Sequence, residues 1–102
     1  MIVVFELNMP RVGSWNGQWS GQGQMYARVK SARSKELNDK LNKIVETGSY
    51  RYAWDDGWCA RVDVRQIDAK EAAKIRRMSK GFCGYDWMID SILKHGEIKI
   101  GD

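Results

Sequence analysis

Hydrophobic and polar positions alternate over the first nine residues. Val3, Phe5, Leu7 and Met9 fall on one side of an extended chain, with Glu6 and Asn8 on the other. That period of two predicts a strand over 2–9, ended by Pro10, which has no amide hydrogen to give to a ladder. A polar, glycine-rich stretch follows over 13–23, where Asn16-Gly17 is a hairpin signal because both turn positions need positive φ. A second strand over 24–30 carries Met25, Ala27 and Val29 on one face. Direct closure at Asn16-Gly17 sets Leu7 opposite Tyr26 and Phe5 opposite Arg28, mixing apolar and charged side chains. One extra residue at Gly21 or Gly23 restores the parity. The expectation is therefore a bulged long hairpin, or an irregular loop between two shorter strands.

The period then lengthens to that of a helix. Over 34–46, Leu37, Leu41, Ile44 and Val45 recur at i, i+4, i+7 and i+8, Lys35, Lys40 and Lys43 take the other face, and Gly48 is the expected C-cap. Strands over 49–54 and 58–65 flank Asp55-Asp56-Gly57, which suits a three-residue loop ending in a left-handed glycine. Such a loop sets Trp54 opposite Trp58, so that Tyr50, Tyr52, Trp54, Trp58, Ala60, Val62 and Val64 share a face. Arg51, Cys59, Arg61, Asp63 and Arg65 take the reverse.

Asp68 and Glu71 have capping-box spacing and open a second helix to about residue 79. Its apolar stripe is thin (Ala69, Ala72, Ala73, Ile75), while Lys70, Lys74, Arg76, Arg77 and Lys80 make it basic. Beyond the joint at Gly81-Phe82-Cys83-Gly84, a third helix over 85–95 lines up Tyr85, Met88, Ile89, Ile92 and Leu93. Asp86 suits its positive end, Lys94 and His95 its negative end, and Gly96 its C-cap. Residues 97–100 are a candidate for a short strand at a sheet edge.

The order ββαββαα predicts an α+β fold: an antiparallel sheet of about four strands in two hairpins, with two to three helices on one face. The 102 residues suffice for one domain, 1–102. Ala27-Arg28-Val29 recurs as Ala60-Arg61-Val62 with matching face parity, an echo that leaves chance and duplication both open.

Composition narrows the class. With 43% hydrophobic and 29% charged residues the chain is globular. No apolar run approaches the roughly 20 residues a membrane span needs, and the N-terminus reads as a strand rather than a signal peptide. Cys59 and Cys83 are too few for a disulfide framework and point to reduced thiols, hence a cytoplasmic location. A net charge of +4 permits an anionic partner and argues against a carboxylate-covered DNA mimic.

Candidate chemistry is sparse. The single histidine, His95, sits where a helix favours a cation, and no spacing supplies the partner that general-base work needs. Neither cysteine has a His/Asn partner in the sequence. One His and two Cys cannot fill a zinc site without carboxylates, and Asp55-Asp56-Gly57 is already what a turn requires. Gly21-Gln22-Gly23 only begins a dinucleotide fingerprint and opens no helix. The expectation is a chain with no catalytic residues, no metal and no cofactor, not an enzyme.

Two binding surfaces remain. Tyr50-Arg51-Tyr52 interleaves aromatics with a cation, and Arg51, Arg61, Arg65, Arg76, Arg77 and Lys80 form a candidate nucleic-acid face. Against it, the aromatics share a face with Ala60, Val62 and Val64, as core residues would. Trp15 and Trp19 in the Gly/Ser/Gln loop, with Trp87 on the Asp86/Asp90/Lys94 side of the third helix, are candidate protein-binding anchors.

From Met9 to Gly21 the chain reads Met-Pro-Arg-Val-Gly-Ser-Trp-Asn-Gly-Gln-Trp-Ser-Gly, followed by Tyr26-Ala-Arg-Val-Lys. Over residues 1–30 it resembles a small uncharacterised family of short proteins from phages and mobile elements of Gram-positive bacteria. That family has no catalytic motif to transfer, so no residue gains a role from it. The resemblance implies a protein that binds host machinery in the bacterial cytoplasm, as inhibitors of CRISPR nucleases do.

Overall fold

A computed structural model describes residues 1–8, 26–54, 59–79, 81–82 and 84–100. Four strands, β1 (Ile2–Asn8), β2 (Ala27–Ser31), β3 (Ser49–Ala53) and β4 (Cys59–Gln66), form one antiparallel sheet in the order β2-β1-β4-β3. Three helices, α1 (Lys35–Thr47), α2 (Ala69–Met78) and α3 (Asp86–His95), complete the order ββαββαα of an α+β fold. The turn at Asn16-Gly17, the glycines at 21 and 23, and the loop at Asp55-Asp56-Gly57 with Trp58 lie outside the described residues.

The helices begin and end where their caps allow. The Ser34 hydroxyl accepts the N–H of Leu37 at 3.1 Å, and the Asp68 carboxylate accepts that of Glu71 at 2.8 Å; each satisfies an amide the helix cannot. Gly48 and Gly96 close α1 and α3 with φ of 78° and 73°, in the left-handed region that favours glycine.

Both faces of the sheet are covered, but unequally. On the first, Phe5, Leu7, Val62, Val64 and Tyr50 meet Leu41 and Ile44 of α1 and Met88, Ile89 and Ile92 of α3. On the second, Val4 and Ala27, flanked by Ile2 and Val29, meet Ala72 and Ile75 of α2 and the buried Ile67. So α1 and α3 share one face, and α2 lies against the other over β1 and β2. Val3, Val4 and Phe5 are all fully buried because β1 is an interior strand packed on both sides.

This two-sided packing overturns the expected parity correction. Phe5 faces Arg28 and Val4 faces Val29, the register of direct closure. Arg28 on the helix-covered face is accommodated at the sheet margin by an ion pair of 2.6 Å with Asp86, both side chains about half exposed (49% and 50%). Ala27 and Val29 are thereby turned toward α2, whereas Ala60 and Val62 face α1 and α3. The repeated Ala-Arg-Val tripeptide therefore has opposite, not matching, face parity. Residues 97–100 add no strand. Ser91 instead ties this segment to α3: its hydroxyl donates to the Glu97 carbonyl at 2.8 Å and accepts the Lys99 N–H at 2.9 Å, over a buried Ile98.

Candidate binding surface

Period-two geometry puts Tyr50 and Tyr52 of β3 on the helix-covered face, with Trp54 just past the strand. Tyr50 is buried and its hydroxyl donates to the Ile44 carbonyl of α1 at 3.1 Å. Cover thins toward the strand's end, where Tyr52, Trp54, Tyr85 and Trp87 are half-buried together. Their rings meet edge to face: Tyr52–Trp54 at 4.9 Å, Tyr52–Trp87 at 5.6 Å and Trp54–Tyr85 at 6.1 Å between centroids. Each such pair stabilises by about 0.5–1.5 kcal/mol beyond burial. These contacts hold the rings against one another. Trp87 is thus not on an open side of α3; the first turn of that helix lands beside the end of β3 and turns the indole onto Tyr52.

The reverse face of the same two strands is polar, and α2 meets it at Arg65, through Glu71. Arg51 lies directly across from Arg61, Ala53 from Cys59 and Ser49 from Asp63. Like charges in register repel, and Asp63 offsets this. It accepts Arg61 Nε at 3.1 Å, Asn8 Nδ2 at 3.2 Å and the Ser49 hydroxyl at 2.9 Å. Arg61 is thereby aimed and half-neutralised, while Arg51 has no ion pair among the described residues. The small Ala53 and Cys59 leave a shallow depression of about 450 Å³, lined also by Arg51, Tyr52, Ala60 and Arg61.

The six cations proposed for nucleic acid do not form one surface of equal members. Arg65 bridges Glu71 at 2.8 Å and Glu6 at 3.0 Å. Those hydrogen bonds, Glu71's first, push its pKa above the ordinary arginine value. Arg76 and Arg77 are exposed on the last turn of α2, over the β1/β2 half of the sheet. Lys80, Trp15, Trp19 and Cys83 lie outside the described residues. His95 stands in the last turn of α3, where the helix dipole favours a cation.

Tyr52 and Trp54 pack against the core, as their shared face with Ala60, Val62 and Val64 predicts, but alternation does not predict their contacts with Tyr85 and Trp87. The available signal was their position at the end of a short strand, next to a loop of turn residues.

Among the described residues no group of His, Cys, Asp and Glu is placed to hold a metal ion, and no helix is long and apolar enough to cross a membrane. Comparison with known proteins gives no match: none to a protein family, none to a curated protein and none to a solved structure.

Proposed function

We propose that this chain is a non-enzymatic binding protein that grips a partner protein through the Tyr52–Trp54–Tyr85–Trp87 corner, rimmed by Arg51 and Arg61. The observation that supports this is the fixed, half-exposed ring cluster. Tryptophan and tyrosine make strong anchors because they bury much area, and rings already locked in place lose little freedom on binding. The resemblance over residues 1–30 supplies the partner class: a host nuclease or nucleoprotein complex, blocked by occupation of its surface in an anti-CRISPR-like manner. Trp15 and Trp19 are proposed as further anchors.

Immobilised wild-type chain in lysate of a Gram-positive bacterium is expected to retain a specific partner. A Trp54→Ala/Trp87→Ala double variant, shown to remain folded by circular dichroism, is expected to lose at least tenfold of it. A Trp15→Ala/Trp19→Ala variant tests the loop separately. Retention indifferent to all four changes would sink the proposal. Direct nucleic-acid binding through Arg51, Arg61, Arg65, Arg76, Arg77 and Lys80 has less support, because Arg61 and Arg65 are already engaged by carboxylates. Filter binding at low salt with no retention of a mixed oligonucleotide is the expected result; strong, salt-steep retention would favour that alternative.

A further inference from the structure

The β3–β4 register decides which backbone groups of β3 point out of the sheet. Val64 donates its N–H to the Gly48 carbonyl at 2.8 Å, so residues 48, 50 and 52 turn their hydrogen-bonding groups toward β4. Ser49, Arg51 and Ala53 therefore turn theirs outward, and all three residues are exposed. Among the described residues no strand lies beyond β3. Open edges recruit further strands, and folded chains usually blunt them with proline, a bulge or charged side chains. β3 has neither proline nor bulge, since Ser49 to Ala53 stay in unbroken register with Asp63 to Cys59, and its one charge is Arg51.

Side chains along this edge alternate in chemistry. Tyr52, with Trp54 beyond it, occupies the helix-covered face, and the exposed Arg51 the open one. We propose that β3 is a docking edge for an extended segment of the partner protein that alternates apolar and acidic residues. Its backbone pairs with Ser49, Arg51 and Ala53, its apolar side chains meet the Tyr52–Trp54–Trp87 rings, and its carboxylates meet Arg51. Charge selects this occupant over a second copy of the chain. Two β3 strands paired antiparallel over their full length place Arg51 opposite its own counterpart, an unfavourable facing of like charges. The inference rests on the protein-binding proposal above and names the chemistry of the segment bound.

The test uses the full chain and fluorescent nonapeptides, read by anisotropy. A peptide alternating leucine and glutamate is expected to bind saturably, and one with lysine in place of glutamate at least tenfold more weakly. Arg51→Glu, a change at an exposed position, should reverse that order. Of two further Leu/Glu peptides, N-methylated on either the leucine or the glutamate amides, one should lose at least tenfold and the other bind as the parent, since only alternate amides face β3. Several results would overturn the docking edge: no saturable binding, an order unmoved by Arg51→Glu, or equal behaviour of the two methylated peptides. So would a dimer in sedimentation that an Arg51→Pro substitution disperses, or a thymidine oligonucleotide that displaces the peptide. Partner capture that depends on Trp54 and Trp87 without any peptide binding would refute the edge and leave the binding proposal standing.

Discussion

One face of this sheet is built in two ways. Over β1 and β2 it has an apolar patch, in which Val4, Ala27 and Val29 lie beneath Ala72 and Ile75 of α2. Over β4 and β3 the same face carries Arg51, Arg61, Asp63 and Ser49, and α2 meets it at Arg65, through Glu71. A ten-residue helix with a narrow alanine stripe covers about two strands, and among the described residues no other helix lies on this face. The covered half contributes stability through burial; the polar half, with the ring cluster at its margin, is where the proposed recognition lies.

The largest test of this contrast puts one new side chain in both halves. Val4→Asp buries an uncompensated carboxylate beneath α2 and is expected to cost more than about 4 kcal/mol, enough to unfold the chain. Arg51→Asp should stay within about 0.5 kcal/mol of wild type in urea denaturation. Equal effects would break the comparison. Ile75→Ala should cost about 2–4 kcal/mol by hollowing the α2 interface, with little effect on the near-ultraviolet signal of the aromatic corner. Asp63→Ala sharpens the other half. It removes three accepted hydrogen bonds and leaves Arg51 and Arg61 unshielded, for about 1–2 kcal/mol, and its cost should shrink as added salt screens the arginines. A small loss is expected of Glu71→Gln, which frees Arg65 from one of its two carboxylates and should cost about 0.2–1 kcal/mol.

Much of this architecture was legible in the sequence. Ser34, Gly48, Asp68 and Gly96 mark helix ends by their capping chemistry, and the element order follows from periodicity. What alternation hid was two-sided burial. Val4 sits at a position that a one-faced strand gives to a polar residue, and the run Ile2-Val3-Val4-Phe5 is the local trace of a strand covered on both sides. Once Val4 needs a cover, Ala27 and Val29 belong with it, and the register that seemed to require a bulge is the right one. The candidate site was less legible. Arg51, Arg61 and the β3 aromatics are readable from alternation, but the place of Trp87 depends on where α3 lands across the sheet. The engagement of Arg65 depends on carboxylates from two other elements, Glu6 of β1 and Glu71 of α2. Neither is a local property of the chain.

Central to the account is a β3 that, among the described residues, is paired on one side only. Amide hydrogen exchange of the free chain, resolved residue by residue by NMR, tests this directly. Tyr50 and Tyr52, bonded to β4, should be protected, while Ser49, Arg51 and Ala53 exchange at close to unprotected rates. Protection of all five amides would mean that the edge is already occupied, and would contradict the account.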